Sequence, residues 1–99
     1  MPTDPQFRMY VQDVFLIRGR GTIVTGCIDQ GTLAAGDIVG LRGPDYAREV
    51  EVVAIEMYRR PVDRAEAGQI VGLVLKDIAK DEVQRGDLLA GSEWGLGDA

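Results

Sequence analysis

The fold turns on one stretch, Val14-Phe15-Leu16-Ile17-Arg18-Gly19-Arg20-Gly21-Thr22-Ile23-Val24-Thr25-Gly26-Cys27. Two apolar runs, rich in β-branched residues, flank a Gly-Arg-Gly corner. Branched side chains favour extended, pleated backbone, and glycine frees the backbone for a tight reversal. The stretch therefore predicts a strand, a turn with the Arg20 cation at its tip, and a second strand. Arg20 itself reads as a solvated or ion-paired corner residue, with the docking of a partner as the functional alternative.

Toward the N-terminus, Phe7, Met9 and Val11 alternate with Arg8, Tyr10 and Gln12. That period of two predicts a half-buried strand. Asp13 breaks the alternation before the apolar run begins, so a bend or bulge is expected at Gln12-Asp13. Residues 1–6, with two prolines, are expected to be a flexible lead-in.

Toward the C-terminus, Asp29-Gln30-Gly31 reads as a turn and Gly36-Asp37 as the opening of a strand over Ile38–Arg42. Gly43-Pro44-Asp45 reads as a hairpin connection. Arg48–Tyr58 is the longest predicted strand. Its apolar set changes phase at Val52-Val53, which predicts a bulge. Beyond the bulge, Val53, Ile55 and Met57 are expected on the buried side, with Glu56 and Tyr58 pointing away. Pro61 is expected to end pairing. Val62–Ala67 has room for one helical turn at most, Gln69–Leu75 reads as an almost wholly apolar strand, and Ala79–Gln84 as a short helical segment. Gly86-Asp87-Leu88-Leu89 echoes Gly36-Asp37-Ile38-Val39: glycine to turn, aspartate to bond nearby amides, apolar residues to start a strand. Residues 92–99 are expected to be a frayed tail. Many short strands and no long helical period predict an all-β barrel over residues 7–91, whose closure removes exposed edges.

Composition narrows the function. The 99 residues carry a formal net charge of −5, which opposes non-specific binding to polyanions but permits one local basic site. The N-terminus has neither a basic segment nor an apolar one of signal type, and no apolar run has the length of a membrane span, so a cytoplasmic location is expected. Cys27 is the only cysteine, and histidine is absent. An intrachain disulfide, the Ser-His and Cys-His nucleophile systems and most zinc sites are thereby excluded. Gly21-Thr22-Ile23-Val24-Thr25-Gly26 has the two glycines of a phosphate loop, but Cys27 stands where lysine is required. The glycines are expected to be corner and close-packing residues, and no cofactor, metal or nucleotide is expected on this chain. Asp29 and Asp37, beside glycines, are explained by turn chemistry.

Four blocks carry a family resemblance. They are Phe7–Phe15 (F-R-M-Y-V-Q-D-V-F), Gly19–Gly26 (G-R-G-T-I-V-T-G), Ile55–Arg60 (I-E-M-Y-R-R), and Ala65–Gly72 with Val83–Ala90. In order and spacing they resemble the second domain of translation elongation factor Tu. The resemblance implies a closed six- to seven-stranded antiparallel β-barrel of the translation-protein type. It also implies a non-enzymatic module that contacts the aminoacyl-tRNA 3′ end. By position, Ile17, Ile23 and Val74 match apolar walls around the terminal adenine, and Glu56 matches a glutamate that meets the adenosine. Tyr58 matches an aromatic or histidine near the amino acid, and Arg59 an arginine placed toward the RNA backbone. Adenine offers a π-face, ribose hydroxyls can donate to a carboxylate, and guanidinium can bridge phosphate oxygens. From the residues alone, Glu56 reads first as a strand-face carboxylate paired with Arg59 or Arg60, and the E-M-Y-R resemblance brings the ligand reading level with it; Tyr58 reads as half-buried.

The chain departs from the family pattern in three places. Ile70 replaces an asparagine near the aminoacyl group, Cys27 replaces an arginine, and Lys76-Asp77 replaces arginine-glycine. The family's nucleotide-hydrolysing domain is not in this sequence, so the barrel is expected to act without its own GTPase domain. Against the RNA reading stands a second one: a barrel that uses the same corner on a translation-related or other protein, or on a second copy of itself, without binding RNA. The acidic charge and Ile70 favour the second reading, Glu56 with Arg59 the first.

Overall fold

The computed structural model describes residues 3–91. Ten strands follow one another: β1 (Arg8–Tyr10), β2 (Asp13–Ile17), β3 (Gly21–Gln30), β4 (Thr32–Ala34), β5 (Ile38–Arg42), β6 (Ala47–Met57), β7 (Arg60–Val62), β8 (Arg64–Glu66), β9 (Ile70–Leu75) and β10 (Leu88–Ala90). A single 3₁₀ turn covers Lys80–Glu82. Pairing runs β1-β10-β5-β6-β9-β3, and β3 pairs back onto β1, so six antiparallel strands close a barrel. The closed barrel agrees with the expected fold class.

The closure depends on the break at Val11-Gln12. β1 and β2 run successively along one long strand, β3. At the break, β1 veers off to pair β10 as well; on that side the Val11 N–H donates to the Asp87 carbonyl and the Val11 carbonyl accepts from the Gly86 N–H. Alternation then decides the core. Phe7, Met9, Val24, Leu41, Ile55, Leu73 and Leu89 point inward and are fully buried. Gly26 is needed for close approach, because a Cβ there would meet the Tyr10 carbonyl at 2.5 Å.

The phase change in β6 is a bulge: the β6–β9 register shifts between Val52 and Ala54. Val53 is the extra residue and is exposed, contrary to the expectation that it shares the buried side; Ile55 is buried and Met57 partly so. The Gly-Asp echo is structural. The Asp37 carboxylate accepts from the Ala34 N–H and that of Asp87 from the Gln84 N–H, each at 2.9 Å.

Several local expectations are corrected. β3 continues through Asp29 and Gln30, because Arg8 of β1 pairs Gln30; only Gly31 turns. Residues 62–67 are not helical. β8 pairs β4 there, which buries Leu33 against Ala65. Pro61 does not end pairing. It sits in β7, opposite Glu56, where an edge position tolerates a missing N–H. Tyr58 is not a half-buried strand residue: Tyr58 and Arg59 form the two-residue tip between β6 and β7, and Tyr58 is 92% exposed. Nor does closure remove every edge. Among the described residues, β2 pairs only β3, and β7 only β6. The apolar run Phe15-Leu16-Ile17 is therefore exposed. The expected tail, residues 92–99, lies outside the described residues, as do residues 1 and 2 of the lead-in. Within the rest of the lead-in, the Asp4 carboxylate accepts from the N–H groups of Gln6 and Thr32, each at 2.9 Å.

Candidate functional site on the outer barrel face

Residues directly opposite across neighbouring strands share a face. On the outer face this gives two adjacent rows. One runs Phe15, Ile23, Val74, Ala54; the next runs Asp13, Thr25, Gly72, Glu56, Pro61. Three expected site residues, Ile23, Val74 and Glu56, are thus brought together by register alone. Gly72 lies between Thr25 and Glu56 and leaves the floor of the second row without a side chain. A Cβ placed on it would only touch Ile23 at 3.6 Å and Thr25 at 4.0 Å, so the opening is real space rather than a packing necessity.

Ile23 and Val74 are the informative pair. They point away from the barrel core, yet they are only 7% and 5% exposed. The Gly-Arg-Gly corner reaches across the same face. Gly21 lies four residues before Thr25 along β3, about 13 Å at strand rise. Arg20 nevertheless forms an ion pair with Glu56, two rows away. To do so its side chain runs back across the row that holds Ile23 and Val74. Left-handed glycines on both sides of it, Gly19 at φ 83° and Gly21 at φ 98°, allow the corner to fold that way. The Glu56 carboxylate holds the Arg20 guanidinium above its ordinary pKa, chiefly through the hydrogen bond. Glu56 is therefore paired with Arg20, and not with Arg59 or Arg60 as the sequence suggested.

The remaining expected residues lie around this centre. Ile17 is opposite Gly21, at the end of β2, and partly exposed. Tyr58 and Arg59 stand at the hairpin tip just beyond Glu56, with φ of 52° and 64°. Two consecutive non-glycine residues in the left-handed region form a tight turn of the kind that Asn-Gly usually makes, at a cost in backbone strain. Both side chains are exposed. The departures also find places. Cys27 and Ile70 face each other in register, one row beyond Gly72, and Ile70 is strongly exposed. Asp77 has φ 55°, which explains why glycine suits that position.

The family model for elongation factor Tu domain 2 matches residues 21–90. The chain belongs to the elongation factor Tu domain 2 family. The barrel is therefore a translation-factor module, and the matched domain is the barrel of that factor rather than its GTP-hydrolysing part. Among the described residues no helix is long and apolar enough to cross a membrane, and no three His, Cys, Asp or Glu side chains form a metal-binding group.

Sequence reasoning missed Gly72 opposite Glu56, it missed Thr25 and Phe15 on the same outer face, and it missed the Arg20–Glu56 pair. No local signal encodes these relations. They follow from the register between β2, β3, β9 and β6, which are distant in sequence.

Proposed function

We propose that this elongation factor Tu domain 2 barrel is a non-catalytic binding module whose ligand is the terminal adenosine of an aminoacyl-tRNA 3′ end. The observation that carries the reading is the outer-face cluster. Apolar Ile23 and Val74, with Ile17 beside the corner, adjoin the open Gly72 floor and the Glu56 carboxylate. An adenine ring would lie against the apolar pair, and a ribose hydroxyl would donate to Glu56. Arg59, exposed at the hairpin tip, would meet the phosphate backbone, and Tyr58 the neighbouring end of the ligand. Arg20 would have to leave Glu56 for the site to fill, so the corner acts as a lid as well as a wall. The row of Cys27 and Ile70 offers no strong hydrogen-bonding group to an aminoacyl ester. Recognition then rests on the nucleoside, and the module works in the cytoplasm beside other translation components.

An NMR titration with a short acceptor-end oligonucleotide, with and without the esterified amino acid, tests this. Shifts are expected at Ile17, Ile23, Glu56, Tyr58 and Val74, equally for both forms, and lost in Glu56→Ala. A flat titration at low salt would sink the proposal. GTP hydrolysis by the purified chain would overturn its non-catalytic part.

A further inference from the structure

We propose that β2 is a self-association edge, through which two copies of this chain pair antiparallel about a two-fold axis at Phe15. The proposal goes beyond the acceptor-end reading and does not depend on it. β2 pairs only β3, so among the described residues its other edge carries no strand. Phe15, Leu16 and Ile17 on it are 46%, 64% and 40% exposed. Beside Leu16 a cleft of about 610 Å³, bordered by Lys80, Asp81, Val83 and Gln84, leaves space next to the strand.

Another edge strand, β7, shows what is missing here. β7 is three residues long and carries Arg60 and Pro61, a charge and a residue that cannot extend a ladder. Those are the devices by which edges avoid pairing. β2 reads Asp-Val-Phe-Leu-Ile, with no proline, no lysine and no charge inside it.

Its ends select the occupant. Asp13 opens the strand, and Arg18 follows its last residue. Antiparallel pairing with a second copy sets the acidic end of each strand beside the basic end of the other. Parallel pairing would set like charges together. A two-fold axis perpendicular to the sheet requires residues of one face to meet the same face of the partner. Of the registers that satisfy this, the one centred on Phe15 overlaps all five residues: Asp13 opposite Ile17, Val14 opposite Leu16, and Phe15 opposite Phe15. The pairing is isologous and closes at two copies. Arg85, which bonds Asp13 at 3.0 Å, stays on the same carboxylate and adds a second cation to the joint. A joint of five residues a side falls in the small, transient class of interface.

Two measurements on the whole chain decide it. Sedimentation velocity across the micromolar to millimolar range should show a reversible monomer–dimer exchange. Leu16→Lys puts a charge on an already exposed position and should leave only monomer with an unchanged circular dichroism spectrum. In a Cys27→Ser background, Phe15→Cys should oxidise to a covalent dimer, because directly opposed strand residues have Cα separations of about 4.5–5.5 Å, within disulfide range. Val53→Cys, exposed on the distant β6 bulge, should not. A chain that is monomeric throughout, a dimer that survives Leu16→Lys, or equal crosslinking at positions 15 and 53 would each overturn the proposal. None of these readouts involves RNA, so failure of the acceptor-end titration leaves them unaffected.

Discussion

Arg20 and Tyr58-Arg59 carry the main residue-scale consequences. Arg20 spans the outer face to reach Glu56, and both partners are partly exposed. Pairs of that kind are screened by solvent and contribute little to stability. Arg20→Gln should therefore cost little in a denaturant titration. In the same variant the Ile23 and Val74 methyl signals should shift as the corner lifts. Under the proposed function, acceptor-end affinity should rise. If those methyl signals stay in place, the corner is not what covers them. The hairpin tip should respond in the opposite sense. Left-handed backbone costs an ordinary L-residue roughly 1–2 kcal/mol. Replacing Tyr58-Arg59 by Asn-Gly relieves much of this, offset in part by the greater unfolded-state freedom of glycine. A net gain of about 1 kcal/mol is expected, worth several degrees in thermal midpoint for a domain of this size. A fall in the midpoint would show that the two side chains contribute more to the fold than their exposure implies. The same double variant should bind the acceptor end more weakly, which would place the strain in the service of the site.

Among the elements, the two Gly-Asp turns give a matched comparison. Both aspartates accept a hydrogen bond from the residue three positions earlier. Asp87 is also buried and accepts the Tyr46 hydroxyl. Asp37→Ala should cost about 1 kcal/mol, the usual loss of one such bond. Asp87→Ala leaves two donors without their acceptor in a buried place and should cost about 2–4 kcal/mol by the same reasoning. Equal losses in chemical denaturation would show that the Tyr46 hydroxyl finds water instead. The pattern of these elements was partly legible. The Gly-Asp echo, the break before Asp13 and the phase change at Val52-Val53 could be read because each is a local interruption of period two. β8 and the strand role of Pro61 could not be read. Three-residue strands have too little pattern of their own, and their pairing with β4 and β6 decides them.

For the whole molecule, pH gives a test at each extreme. Burial, with the hydrogen bond to Asp87, pushes the Tyr46 hydroxyl up to about 12. Its folded value lies above the unfolded one of about 10. The stabilisation is therefore intact below pH 10 and is lost as pH rises toward 12. Tyr46→Phe should flatten the fall in unfolding midpoint over that range. At the acid end, the backbone N–H groups of Gln6 and Thr32 hold the Asp4 carboxyl below the usual carboxylate range. Its folded value is depressed, so its contribution is present above the unfolded value of about 3.9 and fades as pH falls through the folded one. Asp4→Asn should remove that part of the acid dependence. Both groups join segments far apart in the chain, and the sequence marks neither as special. The sequence by itself determined the class of fold, the positions of most strands and the family, because alternation, glycine corners and four ordered blocks are local properties of the chain. Only the tertiary structure decided which residues meet on the outer face. A strand's register against a distant partner sets those neighbours, so it brought Ile23, Val74, Gly72 and Glu56 together. It also turned Arg20 from a cation at a corner tip into the partner of Glu56, and left β2 with an open edge.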